Sequence, residues 1–338
     1  MSQHTTMSPA AALDVLRRHA HHPSAALALN RDTEHFAVAG IDGVIAYRSA
    51  GRRHAIQLGG AYAAPDDQPR LLRAFHRWAR AEGRRLGAVQ LLGPDLPAYA
   101  ALGYRLGQLG ASFSIELDGF TTSGRKFEKI RNKLARARRA GVTVAEAGPE
   151  LPYDERLAAK LDGLDARWLG GKGRHTKQIE FMVGERDRPG ETLRRLFVAV
   201  HDDEPVAYVS YAPVFGRQAG WLYDLTRRDP RCPPGVVELM FVEALRRFQG
   251  EGTAWLHLGL TPFCRISAAH RPPAGGHRGI DRLVGLIAEH GDRIYPARSQ
   301  MEFKTKWQPG HVEPEYVGFH PGVSASAVWR LLRLTRTV

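Results

Sequence analysis

Two kinds of residue in this sequence could do chemistry. In YDLTRRDP, Asp224 and Arg227 stand three apart just past the end of an apolar run. A carboxylate can orient or deprotonate an attacking N–H or O–H, and a guanidinium can hold a negative charge. An Asp–Arg pair that only closes a strand end would read the same way. In EFKTKWQP, Lys304 and Lys306 alternate, and period two predicts both on one side of a strand, facing either a site or water. The second kind is the run GRKFEKIRNKLARARRAG, Gly124–Gly141. It sets Arg125, Lys126, Lys129, Arg131, Lys133, Arg136, Arg138 and Arg139 against Glu128 alone. Like charges one helical turn apart repel. The run therefore suits a phosphate backbone or an anionic membrane surface, with a plainly solvated face as the alternative.

The elements around these residues are regular. Phe127, Ile130, Leu134 and Ala137 form a narrow apolar stripe that predicts a helix, with Ser123 as N-cap and Gly141 as C-cap. Before it, Leu13–His22 reads as a short helix. HFAVAG, GVIAYRS and HAIQLGG follow as strands separated by turn residues. A helix from Gln68 to about Ala81 and a strand in GAVQLLG come next, then a short helix and strand up to residue 117. The second half repeats the plan. Three strands run from Phe197 to Thr226, a helix spans Gly235–Gln249, and Ala254–Leu260 is a strand. FHRWARAEGRRLGAVQLLG and LRRFQGEGTAWLHLGL echo each other, which predicts two copies of one α/β unit.

Composition bounds the function classes. The chain has 338 residues, 43% of them hydrophobic, as expected for a packed globule of about two domains. Its formal charge of +13 favours polyanionic partners. Two cysteines, Cys232 and Cys264, build neither a disulfide framework nor a thiolate zinc site. The N-terminus lacks signal-peptide order, and no stretch approaches the roughly 20 apolar residues of a membrane helix. The expectation is a soluble, cytoplasmic protein. His19, His21 and His22 in HAHH lack ligand spacing and read as a solvated segment. GGKG, Gly170–Gly173, lacks the Ser/Thr of a phosphate loop and reads as a lid carrying Lys172.

Three strands, a helix and a further strand resemble the core of the GNAT acetyltransferase superfamily. Ordinary members hold coenzyme A pyrophosphate on amides of a Gly-rich turn. The corresponding LTRRDPRCPPGVVEL has Pro230, Pro233 and Pro234, which lack that donor, and a single glycine. An acyl-CoA donor is therefore disfavoured.

GRKFEKIRNKLARARRAGV, ARWLGGKG, WLYDLTRRDPRCPPGVVELMFVEAL, LHLGLTPF and EFKTKWQP with EPEYVGF occur in this order. Together they resemble the C-terminal domain of the aminoacyl-phosphatidylglycerol synthases, the multiple peptide resistance factors, over about Phe36–His320. The resemblance implies two tandem GNAT-like lobes, residues 1–122 and 142–338, joined by a long basic helix at 123–141. It implies aminoacyl transfer from aminoacyl-tRNA with no other cofactor. The acceptor would be a small amine or hydroxylamine of a natural-product pathway, as in some stand-alone relatives and as the lack of a membrane span favours, or phosphatidylglycerol. Asp224 and Arg227 match the family's acidic and basic pair, Asp224 at the nucleophile or substrate ammonium and Arg227 at the ester carbonyl or terminal phosphate. Lys304 and Lys306 would join them, with Trp168, Lys172, Tyr223 and Glu238 at the substrate and the basic helix on the tRNA acceptor stem. An acetyltransferase and a non-catalytic RNA-binding protein are the alternatives. The tail SAVWRLLRLTRTV reads as an interfacial helix for peripheral contact at a membrane surface, or as a helix docked on the second lobe.

Overall fold

Ser8 accepts the Ala11 amide and Pro9 fills the first turn, so the first helix, α1 (Pro9–His19), starts and ends earlier than its apolar pattern suggests. The computed structural model describes residues 4–170, 182–186, 193–290 and 297–335. A short strand β1 (His4–Thr6) precedes α1, and a 3₁₀ turn (Ala25–Leu29) follows it. Next come β2 (Glu34–Val38), β3 (Gly43–Ser49), β4 (His54–Leu58), β5 (Tyr62–Ala63) and α2 (Gln68–Ala81). β6 (Arg85–Leu91), α3 (Leu96–Ala101) and β7 (Arg105–Glu116) complete the first half.

The basic run forms α4 (Glu128–Arg139), entered through a 3₁₀ turn at Arg125–Phe127. Phe127, Ile130, Leu134 and Ala137 are buried against the second half, and all eight basic side chains lie outside. Each large apolar side chain contributes roughly 1.5–3 kcal/mol on burial. Each like-charge pair costs only a few tenths. Packing therefore wins, and the helix keeps its charge. Gly141 has φ +81°, as the expected C-cap requires. Ser123 is not the N-cap: its hydroxyl bonds Thr121, and the entry turn displaces the helix start to Glu128.

The second half runs β8 (Thr143–Glu146), α5 (Glu155–Gly170), β9 (Arg195–His201), β10 (Glu204–Val214) and β11 (Gly220–Arg228). It continues with α6 (Val236–Gly250), β12 (Trp255–Pro262), α7 (Arg278–His290), α8 (Ala297–Thr305), β13 (His311–His320) and α9 (Ala325–Leu334). The duplicated plan is present. β2-β3-β4-α2-β6 and β9-β10-β11-α6-β12 each make an antiparallel meander whose third strand pairs parallel with the strand after the helix. These are two acetyltransferase-like lobes.

One sheet runs through both, in the order β1-β2-β3-β4-β6-β13-β7-β12-β11-β10-β9-β8, with β5 against β3. The lobes trade their last strands. β7, from the first half, pairs with β12; β13, from the second, pairs with β6; and β7 and β13 pair with each other. The sequence boundary expected near residue 122 therefore separates chain segments, while the sheet crosses it.

Two expectations fail here. EFKTKWQP is not a strand: Lys304 sits in the last turn of α8 and Lys306 in the turn beyond, because Trp307 is drawn fully inside and stacks on Phe241 at 4.0 Å. HAHH is not a solvated segment either. His19 bonds Asp42 at 2.7 Å, and His22 is buried with Nε2 3.6 Å from the buried Glu315.

Candidate active site

β11 and β12 pair only over Gly220–Leu222 with Trp255–His257. Beyond that point β11 continues six residues on β10 alone, while β12 continues on β7. The sheet opens where the strands part. Asp224 and Arg227 lie inside β11 along this opening, not past a strand end as expected.

Residues three apart on a regular strand face opposite sides. Here the register slips: Ser210 opposes Leu225 and Tyr211 opposes Tyr223, which leaves Asp224 as the extra residue of a bulge. Trp221 and Tyr223 before the bulge pack with α6, whereas Leu225 after it packs with α5. Arg227 follows on the α5 side, its guanidinium 3.9 Å over the Trp168 ring and 3.8 Å from Asp165. Asp224 Oδ1 accepts the Gly184 amide at 2.6 Å, and Oδ2 is 3.9 Å from Arg194 Nε. Val183, beside Gly184, packs in the α5 cluster, so Asp224 faces the same side as Arg227. The bulge puts the two on one face of β11.

Both groups are desolvated, Asp224 to 3% and Arg227 to 7% side-chain exposure. Burial works against the charge on Arg227, and Tyr208, Asp165 and Asp224 oppose it. Tyr208 donates to Asp165 at 2.5 Å. A Cβ at Gly184 would overlap the Asp224 carboxylate. Gly184, Asp165, Arg194 and Tyr208 all escape the sequence reading. Asp165 was within reach, one helical turn before Trp168 on α5.

The other expected residues lie elsewhere. Glu238, in the first turn of α6, accepts from Lys133 of the basic helix at 2.7 Å and from Lys306 at 2.9 Å. Burial opposes its charge, but Lys306 and Lys133 together hold its carboxyl down to about 2. Lys306 also lies 3.9 Å over Phe303, which stacks on Tyr223. Tyr223 is thus part of the α6 packing, on the far side of β11 from Leu225.

Lys304 turns inward and donates to the carbonyls of Gly259 and Leu260, each at 2.8 Å. These lie on β12 just after it leaves β11, so the amine is tied to that strand where the sheet has opened. Burial pushes this amine down to about 7. Lys172 falls outside the described residues. The structure therefore joins Asp224, Arg227 and Trp168 in one place, and Glu238, Lys306 and Lys133 in another.

Among the described residues no three His, Cys, Asp or Glu side chains are placed to hold a metal. An acetyltransferase would hold pyrophosphate at the N-terminus of α6. Here Gly235, with φ +92°, is pressed against the basic helix, and a Cβ there would overlap the Lys133 carbonyl oxygen.

The family model described as phosphatidylglycerol lysyltransferase, C-terminal, matches residues 14–319. This chain belongs to that family. A lysylphosphatidylglycerol biosynthesis bifunctional protein, LysX, of Mycolicibacterium vanbaalenii is 27% identical over 269 residues, 78% of this chain and 24% of the relative. A phosphatidylglycerol lysyltransferase of Staphylococcus aureus is 23% identical over 270 residues, 78% of this chain and 30% of the relative. The chain thus spans under a third of the length of these relatives. The solved structure of L-PGS from Bacillus licheniformis superposes with a TM-score of 0.77 at 22% identity, covering 97% of both chains. FemX superposes at 0.55 with 9% identity, covering 98% of this chain and 99% of FemX. Among the described residues no helix is long and apolar enough to cross a membrane.

Proposed function

We propose that this chain transfers an aminoacyl group from aminoacyl-tRNA to the hydroxyl of phosphatidylglycerol. The acceptor oxygen attacks the ester carbonyl, the bond to the ribose oxygen breaks, and the hydroxyl proton passes to the departing ribose. Asp224 orients the attacking hydroxyl, and Arg227 faces the carbonyl oxygen as it becomes an oxyanion. Desolvation strengthens both fields. The observation that carries this reading is the bulge at Asp224, which turns a buried acid to the same face of β11 as a buried guanidinium where the sheet opens.

Two further features support the donor. The N-terminus of α6 is taken up by the basic helix, which leaves little room for a coenzyme A pyrophosphate. The basic helix also keeps cations to spare. Lys133 and Arg138 pair with Glu238 and Glu243, and Arg131 bonds the carbonyls of Thr122 and Gly124. Arg125, Lys129, Arg136 and Arg139 are exposed and form no ion pair with a described residue. Those four are the phosphate contacts in this reading.

The test is single-turnover transfer from charged tRNA to phosphatidylglycerol in detergent, followed by mass spectrometry, with acetyl-CoA and small hydroxylamines as rival substrates. Asp224→Asn and Arg227→Lys should each slow transfer on the order of 10²-fold with little change in tRNA affinity. Wild-type rates in both variants would make the pair structural. Transfer only to a hydroxylamine would replace the acceptor, and RNase-resistant acetyl transfer would replace the donor.

A further inference from the structure

α9 is a two-faced helix on the first lobe. Ser324 caps it, accepting from the Ala327 amide at 3.2 Å. Ala327 is buried, and Val328, Leu331 and Leu334 pack on the cluster of Leu27, Ile56, Val89 and Phe319. The helix therefore docks against β4 and β6 of the first lobe, with Phe319 of β13 in the same cluster.

The outer face is what remains. Trp329 is 51% exposed, the most exposed large hydrophobic side chain among the described residues. Arg330 and Arg333 follow it along the helix, and both are exposed. The Arg330 guanidinium lies against Gly51, where a Cβ would be 3.1 Å from Nη1, so α9 abuts the turn that carries Arg52 and Arg53. None of these four arginines forms an ion pair with a described residue, although many other arginines of the chain do. No Asp or Glu occurs from Gly43 to Pro65 or from Tyr316 to the end of the sequence. Burial first, then the nearby Arg330 and Arg85, push His54 below the usual histidine range.

We infer that the outer face of α9, with Arg52 and Arg53, is a docking surface for an anionic phospholipid bilayer. A tryptophan beside arginines that form no ion pair with a described residue has an amphipathic ring for the headgroup level and charge for the phosphates. The basic helix α4 differs in kind. Its apolar stripe is wholly buried, and its outer face holds no aromatic side chain, as suits nucleic acid more than lipid. Charge and an exposed indole together are what select a bilayer for α9. The inference rests on the proposed lipid acceptor and says where the enzyme meets the surface that carries it.

Vesicle cosedimentation of the full chain tests it without turnover. Binding should be strong on vesicles of mixed phosphatidylglycerol and phosphatidylcholine, weak on phosphatidylcholine alone, and reduced by salt. Arg330→Glu with Arg333→Glu should weaken partitioning on the order of 30-fold, since each basic residue near an anionic surface is worth about 1 kcal/mol. Trp329→Ala should weaken it several-fold, with the circular dichroism spectrum unchanged. The charged tRNA affinity of these variants should match wild type. Partitioning that is unaltered in both variants, or equal on neutral vesicles, overturns the inference. So does a loss of tRNA binding in place of vesicle binding. Wild type that partitions through α9 yet transfers nothing to phosphatidylglycerol supports this surface while defeating the proposed acceptor.

Discussion

The two lobes share a plan but treat their central parallel pair in opposite ways. In the first, β4 and β6 stay paired over His54–Leu58, and the chain turns back at once so that β5 lies on β3. The place where strands would part is filled by the lobe's own side chains. Gly59, with φ +71°, is pressed by the Tyr62 hydroxyl, and a Cβ at Gly60 would be 2.5 Å from Asp95 Oδ1. In the second, pairing stops after three residues and β11 runs on beside an opening that carries Asp224 and Arg227. The candidate active site is a difference in where a strand pair ends, with a bulge that turns Asp224 and Arg227 to one face.

That contrast can be tested from both sides. The largest effect should come from Gly184→Ala, which has no room beside the Asp224 carboxylate. Displacing a reacting group by about 1 Å can cost 10²-fold, so single-turnover transfer per folded molecule should fall by about that factor. A rate like wild type would mean that Asp224 does not need its present position.

Glu238→Gln should act on stability. It leaves Lys133 and Lys306 without their shared carboxylate. Because Lys133 is half in water, the cost should be about 2 kcal/mol in urea unfolding, below that of a wholly buried pair. The wild-type carboxyl is held below its ordinary value. Its stabilisation is therefore complete above the unfolded value near 4.5 and lost as pH falls toward about 2. The variant should lack that part of the acid dependence, and identical acid unfolding curves would remove the ion pair from the account.

On the basic helix, Lys129→Glu, Arg136→Glu and Arg139→Glu together should lower the salt slope of tRNA binding by about 2–3, with nearly 0.9 per lost phosphate contact. A slope unchanged in filter binding would take this helix out of the tRNA surface. The smallest effect belongs to the filled lobe. Gly60→Ala should cost about 1–3 kcal/mol of stability by overpacking against Asp95, with transfer per folded molecule intact. A lost rate at full stability would mean that the first lobe has a site of its own.

Much of this fold is legible in the sequence because its cues are local. GVIAYRS is β3 at its predicted bounds, the helix from Gln68 to Ala81 is α2, and the stripe from Phe127 to Ala137 is the buried face of α4. What escaped depends on partners far along the chain. Whether Asp224 and Arg227 share a face is set by the register of β10, which alternation within β11 cannot reveal. Lys304 and Lys306 fit period two, yet the burial of Trp307 against Phe241 decides for a helix end. His22 looked like a solvated histidine because Glu315 lies at the other end of the sequence. Asp165 was missed for a different reason: its helical spacing from Trp168 is local and went unused.

The exchange of β7 and β13 fixes an order of assembly. Until His320 has left the ribosome, β6 has no neighbour on its inner side, and β7 can find only β12. The first lobe, although made first, is therefore completed last, with its edge unpaired through most of synthesis. Pairings between residues so distant close slowly and leave strand edges open to wrong partners meanwhile. The two lobes are interlocked, and neither can be cut out as a folding unit at a single point in the chain.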